Sequence, residues 1–219
     1  MMRKRFEYQL NELNRLIIKM GELLEDATNL AKEALSTQNV ESAEKAILGD
    51  MLIDGMEKDI ETLCLRLLMQ QQPVAQDLRV VSSALKIITD MERIGDHAAD
   101  ISEIIIYMAK TDYMSNISNI LKMIDISTQM VRDSIKSFAQ KDLELARLVL
   151  TKDDEVDALF ITTKLELIEK LRNDSITSEE AIDLMMISKY LERIGDHAEN
   201  IAEWVEFAII GVNPKHQKD

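Results

Sequence analysis

The feature that most constrains this fold is an internal repeat of seven identical residues, ERIGDHA, which occurs at 92–98 and again at 192–198. Each copy occupies the same point in a run of helical patterns, so the second half of the chain follows the plan of the first. Self-similarity of this kind indicates an internal duplication. We therefore expect two similar structural units joined in tandem.

Apolar residues recur every three or four positions through almost the whole chain, which is typical of amphipathic helices. In the first half this period predicts a helix that ends near 36–39 and a second helix over about 40–71. Pro73 is well placed as the first residue of a third helix, because an amide proton is not needed there. The third pattern fades at 110–116.

The second half repeats this arrangement with different residues. The period predicts a fourth helix that reaches 139–142 and a fifth that reaches 172–175. Thr177 and Glu180 form a capping-box pattern, which predicts the start of a sixth helix that runs to about Gly211.

Composition supports an all-α fold, because only 6 glycines and 2 prolines are available for the turns that strands would need. Aromatic residues make up 4% of the chain, so Leu, Ile, Ala and Met must build the core. The short connections predict antiparallel neighbours. We therefore predict six long antiparallel helices in two tandem, pseudo-symmetric three-helix bundles, at residues 1–112 and 113–219.

The net charge of −14 argues against nucleic acid and anionic membrane surfaces as partners, and favours cations or basic protein surfaces. The basic N-terminal residues precede no apolar segment of the kind found in secretory signals. No apolar run approaches the roughly 20 residues that a membrane-spanning helix needs. We expect a cytoplasmic protein, in which the single cysteine, Cys64, is a small buried apolar residue.

The predicted third helix of each half carries oxygen-bearing side chains four residues apart, which places them on one helix face. These residues are Glu92, Asp96 and Asp100 in the first half, and Glu192, Asp196 and Asn200 in the second. Like charges at this spacing destabilise an isolated helix by about 0.2–0.5 kcal/mol per pair. A solvated acidic face is the plainest interpretation, but the acids border the apolar seam of the helix.

The middle helix of each half carries a matching pair of acids beside its own seam: Asp50 and Asp54, then Asp153 and Asp157. Two helices can therefore turn carboxylates toward one another in each half. Inward-facing carboxylates on neighbouring helices are a common way to build a metal site in a bundle. Oxygen ligands of this type suit Mg, Mn, Ca or iron.

The other residues of the repeat have more than one interpretation. Gly95 and Gly195 each cost about 1 kcal/mol against alanine, and they make room either for close helix packing or for the acidic cluster. The histidines His97 and His197 could be extra ligands, hydrogen-bond partners of a carboxylate, or interface residues, and we favour the last two roles. The arginine of each copy is expected to orient the acids.

No catalytic motif is recognisable. Oxygen-activating di-iron bundles use Glu-x-x-His pairs, whereas Glu92 and His97 are five residues apart. The chain has no glycine-rich phosphate loop and no nucleophile elbow. The residues alone therefore favour a non-catalytic module. A metal buffer or a carboxylate-bridged redox enzyme is the alternative, and an adaptor with metal-free acidic faces is a third possibility.

The two three-helix halves, the segment QQPVAQDLR before the third helix, the Asp-x-x-x-Asp pairs and the doubled ERIGDHA resemble the PhoU family of phosphate-uptake regulators. This resemblance covers essentially the whole chain. It implies a multinuclear cluster of iron or zinc in each bundle. It also implies a negative regulator that restrains the phosphate ABC transporter and its sensor histidine kinase, commonly as a homodimer.

The resemblance places the metal-binding motif on the acids already named. It falls on Asp50, Asp54, Glu92, Asp96 and Asp100 in the first half, and on Asp153, Asp157, Glu192 and Asp196 in the second, with Asn200 at the position of Asp100. Asn200 is a neutral oxygen donor, so the second cluster is expected to carry less negative charge. Asp154 is an alternative to Asp153 as the ligand.

Overall fold

The structure, a computed structural model, describes residues 2–70, 74–109, 113 and 117–211. Within these ranges the chain forms six α-helices and no strand, which confirms the all-α prediction and the two sets of three helices. The helices are α1 (Met2–Thr37), α2 (Val40–Gln70), α3 (Ala75–Met108), α4 (Ser118–Gln140), α5 (Leu143–Arg172) and α6 (Ser178–Ile210).

The observed helix bounds follow the apolar period closely. Helix α2 spans Val40–Gln70, and residue 71, the predicted end, lies outside the described residues. Pro73 lies outside the described residues, so its role at the start of α3 stays a prediction. The boundary placed between residues 112 and 113 falls in the α3–α4 connection, where the structure describes only residues 109, 113 and 117.

The turns that join the first and second helix of each half are built alike. Gln38 and Lys141 both adopt a left-handed backbone, with φ of 56° and 54°. The next residue in each turn caps the following helix through its side chain: Asn39 accepts from the Glu41 amide at 3.0 Å, and Asp142 accepts from the Leu145 amide at 3.0 Å. The duplication is therefore preserved in the backbone of the turn, although the residue types differ.

Helix α6 is capped at both ends. The Thr177 hydroxyl accepts a hydrogen bond from the Glu180 amide at 3.2 Å, as the capping-box pattern predicts. At the other end Gly211 takes a left-handed conformation with φ of 79°, and its amide donates to the Phe207 carbonyl at 2.8 Å. A residue with a Cβ atom would be strained in this position and would meet the Arg79 guanidinium.

Four helices, α1, α3, α4 and α6, form the centre of the molecule, where α1 packs on α4 and α3 packs on α6. Helix α2 lies outside against α1 and α3, and α5 lies outside against α4 and α6. The buried apolar residues of both halves form one continuous core. The two bundles are therefore joined through a shared interior.

Two polar bridges accompany the α1–α4 packing. Lys32 donates to Asp125 at 2.5 Å, and the Arg132 guanidinium binds both oxygens of Glu25, one of them at 3.0 Å. Further along the same two helices, Gly21 of α1 packs against Ile135 of α4. A Cβ atom added to Gly21 would lie 2.9 Å from the Ile135 side chain. These contacts set the separation of the two halves.

Cys64 is fully buried, and burial raises the pKa of its thiol to about 12. This confirms the prediction of a small buried apolar residue, since a thiol of this pKa is not reactive. Among the described helices, none combines the length and the apolar character that crossing a bilayer requires.

Replacing Thr177 by alanine should destabilise the protein by about 1 kcal/mol, because the Glu180 amide loses its capping partner. In a domain of this size that loss lowers the melting temperature by about 2–4 °C, which differential scanning calorimetry measures. Thr162→Ala is the matched control, since the Thr162 hydroxyl only bonds the Ala158 carbonyl within an exposed helix turn. An equal loss in both variants would contradict the capping role.

Candidate metal centre

In the first half, α2 and α3 bring three predicted carboxylates together. Oxygen atoms of Asp50, Asp54 and Asp96 all lie within 4.8 Å of one another, and all three side chains are half-buried. The Oδ1 atom of Asp50 is buried and has no hydrogen-bond partner among the described residues. A buried acceptor without a donor is costly, which makes this oxygen the natural point for a cation to bind.

The glycine of each repeat faces the first acid of the neighbouring helix. A Cβ atom built on Gly95 would lie 2.9 Å from Asp50 Oδ1, and one built on Gly195 would lie 3.2 Å from Asp153 Oδ1. Alanine at Gly95 would therefore collide with the carboxylate that the site depends on. The absence of a side chain at Gly95 therefore serves both predicted roles of the glycine: it lets the two helices pack closely, and it leaves room for the Asp50 carboxylate.

In the first cluster, burial and neighbouring negative charges raise the pKa values of the carboxyl groups. Burial, followed by the charges of Asp96, Asp54 and Asp100, raises the pKa of Asp50 to about 6. Burial and the charge of Asp96 also raise the pKa of Glu92. These shifts show that the carboxylates are close enough to oppose each other's ionisation.

The second half repeats this arrangement at α5 and α6. Burial raises the pKa of Asp153 to about 7, with further contributions from the charges of Glu199, Asp196, Asp157 and Asp154 in that order. Asp153 is half-buried and faces Gly195, whereas Asp154 is exposed. Of the two alternatives, Asp153 is the one that faces the neighbouring helix.

The two clusters differ in enclosure. Asp54 is half-buried, but its counterpart Asp157 is exposed. Among the described residues, only the first-half trio brings three potential ligand atoms within 4.8 Å of one another. The second site is therefore more open than the first.

Glu199 is a residue that sequence reasoning missed. Its charge is the largest carboxylate contribution to the raised pKa of Asp153, so it belongs to the second cluster. A strict spacing of four led to Asn200, but Glu199 follows Asp196 by three residues and Glu192 by seven, which also places it on the same helix face. Glu199 supplies a negative charge that the second cluster was expected to lack, because Asn200 is neutral.

Basic side chains hold the outer acids of each cluster. Arg93 donates to Asp96 at 2.8 Å and lies 3.4 Å from Glu92, as expected of an orienting residue. In the second half Lys189, rather than the arginine of the repeat, pairs with Glu192.

The two histidines lie between the halves, where α3 packs on α6. The ring of His97 is centred 5.3 Å from the Tyr190 ring and 5.6 Å from the His197 ring. His197 Nδ1 is 2.8 Å from Asp90 Oδ1. The geometry thus supports both favoured roles, because the two rings lie at the interface and His197 also contacts a carboxylate.

The last predicted residue of each third helix also faces this interface. The Asn200 amide donates to Asp90 at 3.3 Å, and Asp100 Oδ2 lies 3.5 Å from His97 Nδ1. The Asp100 charge still contributes to the raised pKa of Asp50, so this carboxylate lies between the interface and the first cluster.

A family model described as the PhoU domain matches the chain twice, at residues 17–105 and 120–205. A relative from Aquifex aeolicus is 41% identical over 185 residues, which are 84% of this chain and 84% of that protein. A relative from Clostridium acetobutylicum is 36% identical over 212 residues, 96% of this chain and 97% of that protein. Both are named phosphate-specific transport system accessory protein PhoU homolog.

Two crystal structures share the fold. PhoU from Pseudomonas aeruginosa superposes with a TM-score of 0.91 at 31% identity, over 94% of this chain and 100% of that one. The phosphate transport system regulatory protein PhoU from Streptococcus pneumoniae superposes with a TM-score of 0.88 at 27% identity, over 95% and 98%. The arrangement of six helices described above is thus found in solved relatives.

Metal-free protein should become less stable as the pH rises from about 4 to about 7, the interval between the ordinary and the raised pKa values. The folded-state pKa values of Asp50 and Asp153 are about 6 and about 7, above the ordinary 3.8, so their neutral forms stabilise the fold only below these values. Asp50→Asn and Asp153→Asn should therefore raise the melting temperature by a few degrees at pH 8 in a chelator, and have little effect at pH 4.

Asp26→Asn is the control for this pH series, because Asp26 is exposed on α1 and lies outside both clusters. A gain in stability that is the same at pH 4 and pH 8, or that also appears in Asp26→Asn, would show that the clusters do not titrate as described.

Proposed function

The chain belongs to the PhoU domain family, and on this premise we propose that it is a negative regulator of phosphate uptake and of the phosphate-starvation response. In this role it acts on a phosphate ABC transporter, through the ATPase subunit, and on the partner sensor histidine kinase. The observation that carries the proposal is the match of both halves to one family, together with relatives named as accessory proteins of phosphate transport.

The charge of the molecule supports a role in docking to other proteins. A net charge of −14 at pH 7 attracts basic surfaces and repels nucleic acid and anionic lipid. A location in the cytoplasm would give the chain access to the ATPase subunit and the kinase. The relatives are named as accessory or regulatory proteins, so we propose a regulator without catalytic activity of its own.

We further propose that each acidic cluster binds metal ions. The donors fit, because Asp50 Oδ1 is a buried acceptor without a donor and Gly95 leaves space beside it. Asp50, Asp54 and Asp96, with Glu92 and Asp100 around them, would hold the first group of ions. Asp153, Asp157, Asp196, Glu192 and Glu199 would hold the second, with Asn200 as a neutral donor at the position that Asp100 occupies in the first. Bound cations would supply the positive charge that lets the neighbouring carboxylates ionise together.

Iron or zinc is the metal that the resemblance implies, and the all-oxygen donor set also suits Mg or Mn. The first cluster is the more enclosed of the two, so we expect it to retain its metal more firmly. Part of the same proposal is a homodimer, since a regulator that contacts two partners gains surface by pairing.

Asp50→Asn and Asp153→Asn should each lower the metal content of the purified protein, because each removes one negative charge and one anionic ligand from a cluster. Elemental analysis by plasma mass spectrometry gives the stoichiometry. Asp26→Asn, at an exposed position on α1, should retain the wild-type content. Equal metal content in all four proteins would rule out the clusters as metal sites.

Loss of the gene should leave phosphate-regulated promoters active in medium rich in phosphate. A reporter fused to such a promoter measures this, and a plasmid copy of the wild-type gene should restore repression. Co-purification of the tagged chain with the ATPase subunit and with the kinase tests the two contacts separately. Normal repression in the deletion strain would overturn the regulatory role, whatever the metal content of the protein.

A further inference from the structure

The ammonium group of Lys189 lies between α5 and α6, beside the second acidic cluster. It pairs with Glu192 on its own helix, and it lies 5.4 Å from the centre of the Phe160 ring on α5. A cation above an aromatic ring is attracted by the negative face of that ring. Both helices that form the second cluster therefore hold this ammonium group in place.

The pair of Lys189 and Glu192 is more enclosed than an ordinary ion pair on a helix surface. The Glu192 side chain is 14% exposed and that of Lys189 is 38% exposed. In the surface pair of Glu12 and Arg15, which has the same spacing, the corresponding values are 34% and 62%. A carboxylate that is largely removed from water depends on a partner of opposite charge. Lys189 supplies that charge to Glu192.

The charge of Lys189 also acts further inside the second cluster. Burial, followed by the charge of Glu192, raises the pKa of Asp196, and the charge of Lys189 opposes this increase. Asp196 lies one helical turn beyond Glu192. One ammonium group thus offsets the charge of two carboxylates to which we assign a role in metal binding.

The first half carries a neutral residue at the position of Lys189. When the two copies of ERIGDHA are matched, Lys189 falls on Thr89, which is exposed. The Thr89 hydroxyl donates to the Leu85 carbonyl of its own helix at 3.2 Å. The duplication has therefore placed a positive charge at this point of α6 and not at the same point of α3.

The residue opposite this position differs in the same sense. When the Asp-x-x-x-Asp pairs are matched, Phe160 of α5 falls on Glu57 of α2. Burial, followed by the charges of Glu61 and Asp54, raises the pKa of Glu57. The first half thus has an acid beside its cluster where the second half has the ring that contacts Lys189.

Arg93 is the base of the first cluster, but it binds in a different way. Its two partners, Glu92 and Asp96, belong to its own helix, and its side chain is 54% exposed. A guanidinium group is planar and spreads its charge over a fork, whereas an ammonium group is a compact charge with three donors. The ammonium group of Lys189 is therefore the closer substitute for a metal ion between two helices.

We propose that Lys189 is a built-in cation of the second cluster, which takes the place of a metal ion beside Glu192 and must move out before an ion can bind there. Its flexible four-carbon stem and its partial exposure allow that movement. This inference rests on the metal sites of the proposed function, and it names the residue that makes the second site bind metal more weakly than the first.

Manganese binding to the second cluster tests the proposal. Asp50→Asn with Asp54→Asn removes the first site, and Mn²⁺ is titrated into this chelator-treated full-length protein by calorimetry. Adding Lys189→Met should tighten Mn²⁺ binding at least tenfold, or about 1.4 kcal/mol, because methionine keeps an apolar contact with Phe160 and removes the charge. Lys19→Met is the matched control for net charge, since Lys19 is exposed on α1, which packs on α2, α3 and α4.

The converse variant tests the same position in the first half. In a background of Asp153→Asn with Asp157→Asn, Thr89→Lys should weaken Mn²⁺ binding at least tenfold, because it supplies the first cluster with a competing cation. Thr162→Lys adds the same charge at an exposed position of α5 and should leave that binding unchanged. Circular dichroism checks that every variant is folded.

Thermal stability separates competition with metal from a purely structural ion pair. In chelator at pH 8, Lys189→Met should melt at a lower temperature than Lys19→Met, because the second cluster has lost its cation. Saturating Mn²⁺ should abolish this difference, since the metal ion then supplies the missing charge. A purely structural pair would leave the difference in place with or without Mn²⁺.

The possible failures are distinguishable. Unchanged or weaker Mn²⁺ binding in Lys189→Met overturns the role of this lysine, and so does a loss of stability that Mn²⁺ does not relieve. Unchanged binding in Thr89→Lys overturns the claim that this position controls occupancy. A second cluster that binds no Mn²⁺ with either residue at position 189 overturns the proposed second metal site itself, but leaves the reporter test of regulation unaffected.

Discussion

The packing of α3 on α6 is the contact on which the rest of the structure depends. These two helices carry the repeated heptapeptide, and they meet so that His97 contacts Tyr190 while His197 contacts Asp90. Corresponding positions of the two halves thus exchange roles across the contact. The two halves therefore pack together as the two subunits of a symmetric dimer would. As a consequence, the outer helices α2 and α5 lie on opposite sides of the α3–α6 contact.

Each acidic cluster depends on a residue that its helix would otherwise avoid. A glycine within α3 or α6 and acids four residues apart are both unfavourable for an isolated helix. Here they occur together, because Gly95 admits Asp50 and Gly195 admits Asp153. Residues that destabilise a helix are expected where a functional site requires them. Both clusters lie between an outer and an inner helix, where an ion from solution could reach them.

Sequence alone predicts the helices well, because the apolar period is regular and the turns are short. The second helix, for example, was expected over about 40–71 and spans Val40–Gln70. The acids beside each seam were also identifiable, since adjacency to a buried stripe follows from helical geometry. These features are local in the chain, so a linear pattern suffices to place them.

Features that depend on how the halves meet were not accessible in this way. Residue spacing does not show that His97 and His197 face each other. The apolar period shows which side of a helix is buried, but not which other helix packs against that side. Glu199 was missed because a spacing of four was followed where three also preserves the face. The left-handed backbone at Gln38 and Lys141 was hidden as well, since neither residue is the glycine that usually marks such a position.

The continuous core couples the two halves during unfolding. The buried apolar residues of both halves contact one another, so neither half can open without exposing apolar surface of the other. Although the chain is a duplication, its two halves are therefore expected to unfold together in one cooperative transition. A change at either acidic cluster then alters the stability of the whole molecule.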